Sequence, residues 1–345
     1  MNNFTAHIKD ETIELGADFV GVSNRQRFAD APSNANPGNI MPDYQSVISF
    51  GIAMSIGCLE TWFSKRSRRP QDDYDMRATE SLDDISFSLT RLLESEGYPA
   101  CYIKQNDYYN FYNNMKPDFS HKHAAVAAGL GVLGMSSLLV HPKYGAAVHI
   151  SSLITKAPLE ADPMIDIEET NPCDNCKYCI MICPVKAINP EKFTAFKIDG
   201  KEYSHCKHNI KMCEYGCDGY SGHEYQINNK KVGTWSYNNY SSDNTKEVMK
   251  IINAPDNDVR HPMELAEMVI DPELQFCGNC HKICVGDRKE KDALFKMHLE
   301  SGLAKIPDDP TMLMNLRDTN HELAPFDFKK AGYDLNNINP KWDDD

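Results

Sequence analysis

Cys173, Cys176, Cys179 and Cys183 stand in the spacing C-x2-C-x2-C-x3-C, and Pro184 follows at once. Three thiols this close can wrap three corners of one [4Fe–4S] cubane. The fourth, at the start of a helix, points away toward a second cluster. A second half-motif is then required, and Cys277, Cys280 and Cys284 supply it as C-x2-C-x3-C. By the crossing logic of two-cluster ferredoxins, Cys284 completes the first cluster with Cys173, Cys176 and Cys179, while Cys183 joins Cys277 and Cys280 at the second. That second cluster needs one more thiolate, for which Cys206, Cys213 and Cys217 lie between. Structural zinc also uses C-x2-C pairs, but the proline-terminated run of four favours iron–sulfur. Cys58 and Cys101 stand apart from both motifs.

Lysine and arginine total 36 against 50 aspartates and glutamates, a formal net charge of −14. That balance argues against a nonspecific grip on a phosphate backbone. No apolar run reaches the ~18 residues of a membrane span. The N-terminus, Met1-Asn2-Asn3-Phe4, lacks the charged-then-apolar order of a secretory signal. Arg66-Ser67-Arg68-Arg69 is internal and leads into polar residues, unlike a twin-arginine signal. A cytoplasmic setting is expected, in which cysteines serve metals rather than disulfides.

The 345 residues allow one large domain or two modest ones. Residues 4–15 predict a first helix stopped by Gly16, and Phe19–Val22 a short strand. Residues 31–44 have loop composition. Ser46–Ala53 predicts a buried strand. Leu82, Ile85, Leu89, Leu92 and Leu93 mark one face of a helix ended by Gly97. Cys101-Tyr102-Ile103 and Val148–Ile154 predict two more strands, and residues 245–253 and 262–270 two more helices. Such mixing predicts an α+β (mixed α/β) layered fold for the first 160 residues.

Between residues 105 and 155 the composition is unusual. Asp107, Tyr108, Tyr109, Phe111, Tyr112, Asp118, His121, Lys122 and His123 crowd together, and the small, glycine-rich run AAVAAGLGVLG (124–134) follows. Ser136, Ser137, Leu138 and Leu139 come next, then Pro142, Tyr144 and Gly145, then Ser151, Ser152 and Thr155. AGLGxxG and PxYG paired with the ferredoxin run, in this order and at this distance, resemble the superfamily of epoxyqueuosine reductases and reductive dehalogenases. The resemblance covers roughly residues 40–290.

The resemblance implies a nitroreductase-like corrinoid-binding domain (1–165) and a ferredoxin-like domain with two [4Fe–4S] clusters (166–290, with an insertion at 200–262). A C-terminal extension (291–345) completes the chain. It also implies a cobalamin with no protein histidine beneath the cobalt. Gly129, Gly131 and Gly134 would let the backbone approach the corrin closely. Ser136, Ser137, Leu138, Tyr144, Gly145 and Ser152 would line it, the hydroxyls bonding its amide arms. Lys211-Met212-Cys213-Glu214-Tyr215 resembles the segment that carries a cluster cysteine in these reductases, which points to Cys213 as the eighth ligand. Reduction needs a proton donor near the substrate, and His121, His123, Asp118 and Tyr108 are the candidates. Histidine titrates near neutral pH, which favours His121 or His123. Lys122 would orient an anionic substrate.

The sequence also departs from the superfamily pattern. Ala124 stands where relatives commonly carry tyrosine, and Lys104 to Asp107 do not align with the tRNA enzyme's donor aspartate. Val285 replaces the usual proline after Cys284. The acidic balance and a tail without repeats argue against tRNA as a partner. The expected function is an oxygen-sensitive, cobalamin-dependent reductase of a small organic molecule, dehalogenating or epoxide-deoxygenating. Ferredoxin or flavodoxin would supply electrons through the two clusters. An epoxyqueuosine reductase acting on tRNA and an electron-transfer protein that reduces a partner's corrinoid are the alternatives.

Overall fold

The computed structural model describes residues 3–105, 109–110, 116–117, 119–217, 225–235, 277–305 and 314–315. Its front part holds α1 (Asn3–Glu14), β1 (Phe19–Asn24), β2 (Ser46–Ala53), α2 (Ile56–Phe63), α3 (Arg69–Ser95), β3 (Ala100–Tyr102) and α4 (His121–Ala127). The short strands β4 (Val132–Leu133) and β5 (Leu139–Val140) precede β6 (Val148–Thr155). The back part holds α5 (Tyr178–Met181), the hairpin β7 (Ile188–Ile198) and β8 (Lys201–His208), and α6 (Ile210–Cys217). A small hairpin, β9 (Tyr225–Ile227) and β10 (Lys230–Val232), and the helices α7 (Asn279–Lys282) and α8 (Arg288–Glu300) follow.

The elements predicted across the first 155 residues form, and they assemble into a four-stranded sheet of order β1-β2-β6-β3. Every pairing in it is antiparallel, so the mixed helix-and-sheet fold is of the segregated kind, not an alternating parallel one. Ile48 pairs across to Leu153, and Val47 to Ile154. Alternation sends these two pairs to opposite faces. Ile48 and Leu153 pack with Ile8 of α1 and with Leu82, Ile85, Leu89 and Leu93 of α3. Those four α3 side chains are at most 1% exposed, and each contributes about 2 kcal/mol by burial. Val47 and Ile154 pack with Ala124 to Ala128 of α4 and the loop beyond it. The alanines let α4 lie close on the sheet, which fixes the ledge that carries His121, Lys122 and His123.

A third core joins the front part to the cysteine segments. Leu59, Trp62 and Phe63 of α2 pack with Ile182, Ile283, Val232, Trp235, Leu294 and Phe295. The boundary expected between residues 290 and 291 falls inside α8. The helices expected at 245–253 and 262–270 lie outside the described residues, as does most of the expected C-terminal extension. Among the described residues no helix is long and apolar enough to cross a membrane.

Candidate metal centres and a buried polar cluster

The first cysteine run turns before it spirals. Asn175 and Lys177 take left-handed backbone, with φ of 54° and 62°. Asn171 and Asp174 side chains accept from the amides of Cys173 and Cys176. Local side-chain bonds of this kind hold tight turns, and these turns bring successive thiols to one centre. Cys173, Cys176 and Cys179 line a cavity open to solvent, and Cys284 lines it with them. Gly145 fixes Cys284. The amides of Ala146 and Ala147 donate to the Cys284 carbonyl at 2.6 and 3.0 Å, and that carbonyl fills the place a Gly145 side chain would need. Burial pushes the thiols of Cys176, Cys179 and Cys284 up, so a metal bound here displaces protons. Lys291, 4% exposed, lines the same cavity and is held to Asp174 at 3.4 Å, with Arg288 on the same carboxylate at 3.0 Å.

The second thiol set lies deeper. The Cys183 sulfur accepts from the Ala187 amide at 3.2 Å. Gly278, at φ 69°, makes the left-handed turn between Cys277 and Cys280. Helix α6 presents Cys213 and Cys217 one turn apart. Cys213 and Cys277 are the near thiol neighbours of Cys217, and the Gly278 amide lies on the same sulfur's side. Cys183 and Cys280 are close enough for their charges to act on this group. Five thiols therefore meet where four were sought. Cys206 is not among them; it is buried in β8, and its thiol neighbour is Cys173.

Trp62, Trp235 and Asn279 wall this set. Trp62 Nε1 donates to Asn279 Oδ1 at 3.0 Å, and Trp235 Nε1 donates to the Trp62 carbonyl at 3.2 Å. Lys282, 3% exposed, meets Asp75 Oδ2 at 3.1 Å, and His149 Nε2 lies 2.8 Å from Asp75 Oδ1. Burial alone would raise the Asp75 carboxyl. Lys282 and His149 instead hold it well below the usual range. Among the described residues no three His, Cys, Asp or Glu side chains are drawn together as one ion would draw them. The first set instead rings an open cavity. That suits a cluster bringing its own sulfides better than one tetrahedral zinc ion. The donor chemistry of both sets fits iron–sulfur clusters, with Cys173, Cys176, Cys179 and Cys284 at one and Cys183, Cys277, Cys280 and α6 at the other.

The glycine-rich run meets the first set directly. A Cβ on Gly134 would stand 2.6 Å from Val140 Cγ2 and 3.3 Å from the Cys173 sulfur. The places of side chains on Gly129 and Gly131 are filled by the Pro163 and Val140 carbonyls. The close approach that Gly129 and Gly131 permit in this structure is of chain on chain. Ser152 lies in the sheet at 0% exposure, its hydroxyl 2.9 Å from that of Ser49, so it is committed to packing. Ser136 and Gly134 line the first-set cavity. Ser137, with φ 55°, accepts from Lys122 Nζ at 3.5 Å, and Leu138 beside it is half-buried. Tyr144 packs on Phe19 and His141.

Lys122 belongs to a buried polar cluster that the motifs did not announce. A register shift between Cys206 and Lys207 interrupts the β7–β8 pairing. Such a bulge re-aims side chains; His205 and His208, which a regular strand would send to opposite faces, have ring centroids 6.0 Å apart. Both Nδ1 atoms lie 2.8 Å from the Cys206 carbonyl. A carbonyl only accepts, so both nitrogens donate and both Nε2 atoms turn away from it. Among the described residues His208 Nε2 is buried with no hydrogen-bond partner, while the His121 ring is buried beside the Lys104 backbone. His123 Nδ1 meets the Ser120 hydroxyl at 2.6 Å, and its ring stands edge-on to Phe196.

The expectation that His121 or His123 titrates near neutral pH is corrected. Burial pushes His121 down to about 4, and burial with Lys122 and His205 nearby pushes His123 down to about 3. Burial also lowers Lys122 and takes His208 to about 4. All three imidazoles are neutral at pH 7. Asp118 and Tyr108 lie outside the described residues.

No family model matches this chain. It is similar to epoxyqueuosine reductases: 30% identity over 102 residues with that of Lactococcus garvieae, covering 27% of this chain and 28% of the relative. With the Bacillus cereus protein it shares 24% over 197 residues, 55% of this chain and 50% of the relative. It is also similar to the tetrachloroethene reductive dehalogenase of Sulfurospirillum multivorans, at 39% over 64 residues, 19% of this chain and 13% of that one. The chain thus spans about half the length, or less, of these curated relatives. Among solved structures, a catabolic reductive dehalogenase aligns at TM-score 0.47 and 21% identity, covering 60% of this chain and 28% of that one. An epoxyqueuosine reductase with a tRNA-Tyr epoxyqueuosine-modified stem loop aligns at TM-score 0.38 and 18% identity, covering 53% of each. The expectation against tRNA is overturned by these relatives. An acidic net charge is a property of the whole surface, and it says nothing of one local site.

Proposed function

From that similarity as premise, we propose that the chain is an iron–sulfur, corrinoid-dependent reductase. Single electrons from a low-potential donor such as ferredoxin or flavodoxin would enter at one thiol set and leave at the other. When bound, the clusters supply electron transfer and the corrinoid supplies reductive cleavage of a carbon–heteroatom bond. The observation that carries this reading is the seat of Gly134 against Cys173. It brings the glycine-rich run against the first thiol set, and Lys122 reaches Ser137, three residues beyond Gly134, at 3.5 Å.

The chain's own residues divide the remaining tasks. Cys173, Cys176, Cys179 and Cys284 would hold one cluster, and Cys183, Cys277 and Cys280 with an α6 thiol the other. The unpartnered Nε2 of His208 fits a polar arm of a guest, and Lys122 fits an anionic group. In the neutral state His208 keeps Nδ1–H on a carbonyl and offers a lone pair at Nε2. It therefore takes up a proton before it can give one. The buried imidazoles of this cluster are relays for a proton brought by substrate or water, not standing acids. A reducing, cytoplasmic setting belongs to the same reading.

Two substrate classes follow from the relatives' names, an epoxyqueuosine nucleotide and a small organohalide. Anaerobically purified protein should carry about eight iron per chain and take up one cobalamin with a shifted visible spectrum. Failure to bind any corrinoid with full iron content would leave an electron-transfer protein. A gel shift with the relevant tRNA that weakens steeply with salt separates the nucleotide from the small molecule.

A further inference from the structure

Four iron corners need four thiols, yet five converge on the second set. We propose that Cys213 and Cys217 are interchangeable ligands to the same corner of the second cluster. The proposal rests on the two-cluster reading above and goes beyond it in assigning Cys217.

The geometry begins with α6. Residues four apart lie on one face of a helix, one turn above the other. Cys213 and Cys217 are such a pair, and α6 turns that face toward Cys183, Cys277 and Cys280. Neither thiol is turned out to solvent or lost in an apolar core, the ordinary fate of a spare cysteine. Cys217 has the thiols of Cys213 and Cys277 and the Gly278 amide as its near neighbours. An amide pointed at sulfur is the partner a cluster thiolate commonly has, and Cys183 has the same from Ala187. Cys213 in turn is within charge reach of Cys280 and Cys183, the two thiols at the far side of the set. The sequence resemblance favours Cys213, while the contacts favour Cys217 at least as strongly. A small rotation of a helix only eight residues long is enough to exchange them. No electrons or atoms are gained or lost: one thiolate leaves iron as the other binds, and the proton moves between the two sulfurs.

The test uses the full chain, anaerobically reconstituted with iron and sulfide, as wild type, Cys213→Ala, Cys217→Ala and the double variant. Both single variants should keep about eight iron per chain, with a changed electron paramagnetic resonance signal for one cluster only. The double variant should fall to about four and keep the first cluster's signal. That retained signal also reports that the chain is folded. Loss of half the iron in just one single variant would make that cysteine the sole ligand and overturn the exchange. Loss in both singles, or retention in the double, overturns it too. A wild-type chain that takes up no iron would remove the cluster reading itself and this one with it.

Discussion

The first thiol set borders solvent; Trp62, Trp235 and Asn279 wall the second. Each has one lysine beside it, 3–4% exposed in both cases, but the carboxylates that hold the lysines differ. Asp174 has a side chain 37% exposed and shares itself between Lys291 and Arg288. Asp75 is 24% exposed and is gripped by Lys282, His149 and Gln71. The same pair of residue types thus works at a rim in one place and inside a wall in the other. An ion pair at a rim is screened and weak, whereas one partner left behind in a wall is expensive. The comparison teaches that the second set is the structural one, tied into the front part, and the first is the accessible one.

The largest test is whether the two sets are separate at all. Cys284→Ala should cost about half of the iron, as should Cys280→Ala, and the double variant nearly all of it. If iron analysis finds the double variant no worse than either single, the two thiols serve one cluster and the comparison breaks. Next in size, Asp75→Asn leaves Lys282 buried without its carboxylate. Thermal or denaturant unfolding should record a loss of about 3 kcal/mol, with the second cluster lost before the first.

Acid should act between these. His298, packed on Phe63 and bonded to Tyr225 at 2.7 Å, is pushed well below the ordinary histidine value by burial and Lys65. His121, His123 and His208 are pushed to about 4, 3 and 4. A histidine whose folded value lies below its unfolded one favours folding fully above about pH 6.5, and that share fades as pH falls toward the folded value. Each should remove about 1.4 kcal/mol per pH unit in that window. Unfolding midpoints measured from pH 7 to 5 should fall, and His298→Phe should flatten the slope. Smallest of the four, Asp174→Asn should cost at most about 1 kcal/mol, less in high salt. A loss as large as that of Asp75→Asn would mean that the first set is walled too.

Much of the front part was legible because its signals are local. Gly16 and Gly97, the β-rich run Ser46–Ala53 between turn residues and the leucine spacing of α3 each act within one turn or one strand. The cysteine spacing is equally local, since chain geometry alone limits what three thiols so close together can surround. The buried polar cluster was less legible. His205 and His208 share a face only because the hairpin bulges, and Cys217 joins the second set only because α6 packs where it does. That Gly129 and Gly131 of AGLGxxG make room for the carbonyls of Pro163 and Val140 shows only in the folded chain.

By itself, the order of residues determined the two groups of motif thiols, the helices and strands of the front part and the acidic balance. Tertiary packing alone decided that Cys206 leaves the second set while Cys213 and Cys217 both enter it. It also decided that Ser152 belongs to the sheet and that the α4 histidines stay neutral. The physical reason is range. Spacing acts through a few covalent bonds, whereas burial and hydrogen-bond partners depend on residues as far apart as Asp75 and Lys282, which meet only once the chain has folded.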